Sequence, residues 1–208
     1  MKKGRKWLIY SSIALLLVIV LGFYPGSKDL DPSEWVKVTI RDTVNVPIKK
    51  LWELVGNVKL EKAAGNRKYN DLPSIERTRA LVGDFSKAGH SRIVYFSTGD
   101  TLVETIIDIK EAHIFSYEIT KPSLPMKWAV YRARGTFLYS AIDSNRTETK
   151  WTYAFHNKNF ISRFFIDNYI NSTHRSWMRD MLNATKKNVE EAYGEEMKPS
   201  RTSAARGN

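Results

Sequence analysis

The chain has 208 residues, 33 of them Lys or Arg and 22 Asp or Glu, for a formal net charge of +11, and it contains no cysteine. The missing thiols exclude a disulfide framework, a thiolate metal site and a thiol nucleophile. The excess charge does not point to nucleic acid: Lys2, Lys3, Arg5 and Lys6 precede an apolar run, Lys198, Arg201 and Arg206 lie in a polar tail, and no segment interleaves basic residues with stacking aromatics.

Residues 7–24 read WLIYSSIALLLVIVLGFY, 18 positions without a charge and bounded by aromatic rings. That length just crosses a hydrocarbon core, and Pro25-Gly26 ends the helix such a span requires. The basic flank at 1–6 places the N-terminus in the cytoplasm by the positive-inside rule. The expectation is a single-pass membrane anchor at 7–24, with the rest of the chain on the extracytoplasmic (periplasmic or extracellular) side. A cleaved signal peptide is the competing reading, against which stands the lack of an A-x-A-like cut site around residues 21–27. A linker at 25–35 follows, then one domain over 36–194 and a disordered polar tail over 195–208.

Within the domain, VKVTIRDTVNV (Val36 to Val46) alternates apolar and polar residues as a half-buried strand does. Pro47 then opens a helix in which Ile48, Leu51, Trp52 and Val55 fall at helical spacing, with Gly56-Asn57 as the stop and a second short helical piece at 59–64. From Ser74 a series of strands follows: SIERTRALV, SRIVYF, TLVETIIDI, IFSYEI, AVYRARGTFLYSA and ETKWTYAF, separated by turns too short to hold crossover helices. This is an antiparallel meander. The last segment is a long amphipathic helix with a stripe at Ile161, Phe165, Tyr169, Met178, Leu182 and Val189, and a break is expected at the polar run Asn171-Ser172-Thr173-His174.

Several strings in this order resemble one family. VPIKKLWELVGN resembles an opening of apolar-Pro-x-x-x-apolar-Trp-x-apolar, with Trp52 on the first helix. GHSRIVYFSTGDTLVETIIDI resembles an Arg-strand, Gly-turn, Glu-strand hairpin through Arg92, Gly99 and Glu104. Tyr117, the Ser123-Leu124-Pro125 connection and the closing TKWTYAF strand with Trp151 and Phe155 follow at matching positions. Together they resemble the START-like superfamily, in its polyketide cyclase/dehydrase and lipid-transport (SRPBCC) branch. Departures are Tyr69, where a tryptophan is common, and a longer strand region at 128–141. The resemblance implies an α+β helix-grip fold, a curved antiparallel sheet of about six to seven strands wrapped around a long C-terminal helix. It also implies an apolar cavity between the two for a hydrophobic or amphipathic small molecule such as a lipid.

Alternation puts Phe115, Tyr117 and Ile119 on one strand face, Tyr131, Ala133, Gly135 and Phe137 on a second, and Trp151, Tyr153 and Phe155 on a third. With Trp52, Phe165, Arg92 and Glu104, the residues expected to bind ligand are Trp52, Arg92, Glu104, Phe115, Tyr117, Tyr131, Trp151, Tyr153 and Phe165. If the hairpin turn centres on Gly99-Asp100, Glu104 falls opposite Tyr95 with Arg92 a few positions away. Two roles stay open for the pair: an ion pair on the sheet's outer face, or a grip on a polar headgroup inside. The four histidines show no metal-ligand spacing, and only His156 and His174 qualify as acid–base candidates. No catalytic residue, metal or cofactor is assigned. Binding or transport of a lipid-like molecule leads, with a cyclase- or hydrolase-like enzyme and a ligand-free envelope interaction domain as alternatives.

Overall fold

The computed structural model describes residues 26–56 and 72–198, together with Leu17. The rest of the apolar run at 7–24, the short helical piece at 59–64, Tyr69 and the tail beyond residue 198 lie outside the described residues. Among the described residues no helix is long and apolar enough to cross a membrane.

Alternating valines and isoleucine form β1 (Val36–Val44), with Val36, Val38, Ile40 and Val44 buried. Helix α1 (Ile48–Gly56) follows, its first turn closed by Leu51 N–H donating to the Pro47 carbonyl at 2.8 Å. The meander comprises β2 (Ile75–Val82), β3 (Ser91–Phe96), β4 (Thr101–Lys110), β5 (Ile114–Thr120), β6 (Val130–Ala141) and β7 (Thr147–Asn157). All neighbours pair antiparallel in the order β1-β7-β6-β5-β4-β3-β2, so the curved sheet has seven strands. Bulges in β2, β4 and β6 bend it.

The C-terminal helix grips the concave face in three pieces without a break: α2 (Phe160–Tyr169), a π-turn at Ile170–His174, and α3 (Arg175–Glu196). The expected break is therefore a wide turn. It also explains why the inward stripe differs from the expected one. Ile166, Ile170, His174, Met178 and Leu182 are buried at a constant spacing of four, whereas Phe165 is exposed. An unbroken α-helix would carry such a series sideways by about 40° per step, and the under-rotated π-turn pulls it back. The end of α3 at Glu196 reaches slightly past the expected start of the tail at Glu195.

The segment read as a linker lies against the domain. Gly26 N–H donates to the Lys158 carbonyl at 2.5 Å, the Ser27 carbonyl accepts from His156 Nε2 at 3.1 Å, and Trp35 Nε1 donates to the Leu30 carbonyl at 3.2 Å. A short 3-10 turn at Pro32–Glu34, capped by Asp31, leads into β1.

Candidate functional site

Between the concave face and helices α1 and α3 lies a cavity of about 500 Å³. The sheet contributes rings to its wall because alternate residues of adjacent strands share a face. Phe137 stacks on Trp151 (centroids 4.7 Å apart), Trp151 leans on Trp177 of α3 (5.6 Å), and Trp52 of α1 meets Tyr139 edge-on (5.6 Å). Tyr117 packs flat over Gly135 of the neighbouring strand, where a Cβ would come within 2.3 Å of the ring. Glycine there is what lets the phenol lie close to the sheet.

Polar groups sit at two places in this wall. On β3 and β4, Arg92 and Glu104 are direct cross-strand partners, and both Nε and Nη2 of Arg92 donate to Glu104 Oε2 at 2.6 Å. The register differs from the expected one because the turn is centred nearer to Thr98. Gly99 N–H donates to the Phe96 carbonyl and Gly99 takes φ +82°, a type I turn closed by a left-handed glycine. Tyr95 thus faces Thr101, and Glu104 faces Arg92. The pair belongs to the cavity wall, not to the outer face. The Arg92 guanidinium also lies 4.0 Å from the centroid of Phe85. Burial, then the nearby Glu104 charge, push the Tyr117 phenol well above its ordinary range.

On the helix side, the π-turn swings His174 into a cage of rings: Tyr153 at 4.5 Å, Phe155 at 5.0 Å, Trp177 at 5.0 Å and Tyr169 at 5.5 Å. Burial pushes its imidazole down to about 3, so it is neutral at physiological pH. The Tyr169 hydroxyl lies 3.3 Å from Nδ1, a hydrogen bond in which either group can donate according to the tautomer of the ring. Among the described residues Nε2 of His174 is buried without a hydrogen-bond partner, and the buried Nε1 of Trp151 is directed toward the Tyr117 hydroxyl.

No family model and no curated protein matches the sequence. Solved structures do. Norcoclaurine synthase from Thalictrum flavum, in complex with dopamine and hydroxybenzaldehyde, superimposes with a TM-score of 0.56 at 14% identity, covering 84% of this chain and 95% of that one. The ZhuI aromatase/cyclase from Streptomyces sp. R1128 gives 0.55 at 17% identity over 77% of this chain and 96% of that one. Ara h 8.0201 gives 0.53 at 17% identity over 75% and 98%. The fold is the helix-grip. Likeness at this level of identity carries the architecture, and the chemistry of the site rests on the residues themselves.

Of the residues expected to bind ligand, the helix-grip brings Trp52, Arg92, Glu104, Phe115, Tyr117, Trp151 and Tyr153 to the cavity wall. Tyr131 and Phe165 are placed elsewhere. A bulge between Val130 and Arg132 leaves Tyr131 unpaired and turns it away, where its hydroxyl donates to the Gly26 carbonyl at 3.3 Å and its ring meets His156. Phe165 is rotated out by the helix phase and rests edge-on against Trp128. His156 is also remote from the cavity, stacked under Trp35 at 5.0 Å with its imidazole pushed down by burial. Wall residues not expected from the sequence include Phe85, Tyr139 and Met181. Tyr139 continues the alternation of Phe137 and could have been read from it. Phe85 sits in a loop at φ +59°, which no periodic pattern announces.

Proposed function

We propose that this protein binds a hydrophobic or amphipathic, lipid-like molecule in the cavity between sheet and C-terminal helix, while residues 7–24 tether it to a membrane with the domain on the extracytoplasmic side. The observation that carries the binding reading is the aromatic wall interrupted by a few polar groups: the Arg92–Glu104 pair with Tyr117 on the sheet, and His174 with Trp151 nearby. A large apolar pocket with a few convergent polar groups suits a ligand with one oxygenated end. Small-molecule binding agrees with the shared fold, since norcoclaurine synthase carries dopamine and hydroxybenzaldehyde in its structure. Binding ranks above catalysis because Glu104 is tied to Arg92 and His174 faces a phenol, not a carboxylate. The Asp84–His90 pair (2.9 Å) lies in the loop after β2 with Asp84 on the cavity rim and the His90 ring against Gly83, and this pair is the observation that favours a cyclase- or hydrolase-like enzyme as the second reading.

The test is mass spectrometry of organic extracts from the purified full-length chain beside an Ala133→Phe variant, which fills the cavity from β6. A species recovered from the parent and lost in the variant, with the thermal melt still cooperative, is the expected result. Equal recovery from both assigns the lipid to the surface or the detergent and removes the binding reading. The tether has its own test, N-terminal sequencing of the mature protein. A start near Ser27 removes it.

A further inference from the structure

The solvent face of α2 is the most apolar exposed region among the described residues. Phe160, Phe164 and Phe165 are 74%, 69% and 49% exposed, and Trp128 beside them is 47% exposed. Phe160 and Phe164 lie one turn apart, opposite the buried Ser162 and Ile166. Phe165 joins Phe164 (centroids 6.0 Å) to Trp128 (5.2 Å), so the four rings form one patch. Nothing in helix formation asks for three phenylalanines there. Asn159 and Ser162 already cap the helix through a reciprocal pair of hydrogen bonds, and Ile166 already fills the core side. A contiguous exposed patch of this kind marks a contact surface.

The course of the chain says what covers it. Gly26 is pinned by its hydrogen bond to Lys158, two residues ahead of Phe160, and Gly26, Phe160 and Arg163 border one open surface hollow. Tyr24, the last residue of the uncharged run 7–24, is two peptide units from Gly26 and so no more than about 8 Å away. Any bilayer that takes up that run therefore meets the protein at the end where the four rings are exposed. Charge nearby is mixed: Lys127, Lys158 and Arg163 stand against Glu34 and Asp167. Apolar burial, not attraction to anionic lipid, drives the contact.

We propose that this end of the domain docks on the membrane, with Phe160, Phe164, Phe165 and Trp128 set at the boundary between headgroups and acyl chains. Aromatic side chains favour that depth. The docking rests on the tether described above and is independent of what the cavity holds.

The chain has no cysteine, so one introduced thiol is labelled uniquely. A nitroxide at Asn168→Cys reports on the exposed side of α2. One at Ser144→Cys reports on the β6–β7 turn, at the other end of an 11-residue strand and roughly 35 Å away. Full-length chains are reconstituted in phosphatidylcholine vesicles and floated. Collision with a water-soluble nickel chelate should then be at least about tenfold less frequent at 168 than at 144, while collision with oxygen rises. Phe160→Ser/Phe164→Ser, both exposed positions, should restore chelate access at 168 in chains that still float.

A chain that floats with equal chelate access at both labels overturns the docking and leaves the tether standing. A chain that does not float overturns both. Low access to chelate and oxygen together, or protection that grows with the protein-to-lipid ratio, assigns the patch to protein and overturns the docking.

Discussion

Glu104 is a carboxylate on a largely apolar wall, and among the described residues its cationic partner is Arg92 across the hairpin. Removing one partner of such a pair leaves an uncompensated buried charge, which typically costs about 3–5 kcal/mol, whereas replacing both by apolar groups is close to neutral. Arg92→Leu alone should therefore lower the denaturant midpoint strongly, and Arg92→Leu/Glu104→Leu should recover most of it. A double variant as unstable as the single one would show that the pair is not an isolated unit. His174 makes a different prediction. Its folded value is about 3 against an ordinary 6.5, so the unfolded chain takes up a proton that the folded chain refuses. The stabilisation from the neutral ring is complete above pH 6.5 and is lost progressively as pH falls from there toward 3, with a limiting slope of about 1.4 kcal/mol per pH unit. In His174→Phe, unfolding free energies measured between pH 6.5 and 5 should flatten by close to that slope. An unchanged slope would mean the ring is hydrated. Neither pair geometry nor ring environment was legible from residue types alone. Arg92 and Glu104 were found as residues, but their facing depended on where a turn with Gly99 closes, and a shift of that turn moves every cross-strand partner.

Elements were more legible than contacts, for reasons that differ from one to another. In β1, β5 and β7 the strict period of two places Val38, Tyr117 and Tyr153 correctly, because one face of each strand is committed to the core. The same period fails at Tyr131, since the bulge in β6 inserts an extra residue that alternation cannot register. The helical stripe fails at Phe165 because the π-turn changes the number of residues per turn within one continuous helix. What fixes the phase of α2 is its start. Asn159 Oδ1 accepts from Ser162 N–H and Ser162 Oγ accepts from Asn159 N–H, each at 2.8 Å. Asn159→Ala should cost about 1 kcal/mol in global unfolding, the usual value of such a cap. Thermal melts of Asn159→Ala and Asn159→Asp would check it, with the aspartate retaining most of the stability. Gly135→Ala belongs at this scale too, because its Cβ would strike the far end of the buried Tyr117 side chain and push it into the cavity. A loss of about 1–3 kcal/mol is expected from overpacking, with the partner substitution Tyr117→Phe giving only partial relief because it removes the hydroxyl and leaves Cζ in the way.

At the scale of the whole molecule, the sheet is unevenly supported. β6 and β7 each have two strand partners, while β2 is an edge strand paired only with β3 and most of its residues are exposed. Cavity residues that keep contact with solvent include Asp84, Phe85 and Ser86, which directly follow that edge strand, and Val55 and Gly56 where α1 ends. Strands with few buried contacts open locally at low free energy, so the cavity's weakest wall coincides with its exposed rim. A molecule taken up by the cavity would enter by loosening of β2 and the 84–86 loop, since the opposite wall is held by β1, β7 and the helix across them. Amide exchange of the full-length chain should be fastest in β2 and in residues 84–86 and slowest in β6 and β7. Filling the cavity should slow exchange selectively at the rim, because the filled state withdraws Phe85 and Ile75 from opening, and leave β6 and β7 nearly unchanged. The comparison to make is the parent against Ala133→Phe, where the introduced ring stands in for ligand. Protection spread evenly over all seven strands would place the opening elsewhere and tie entry to global unfolding instead.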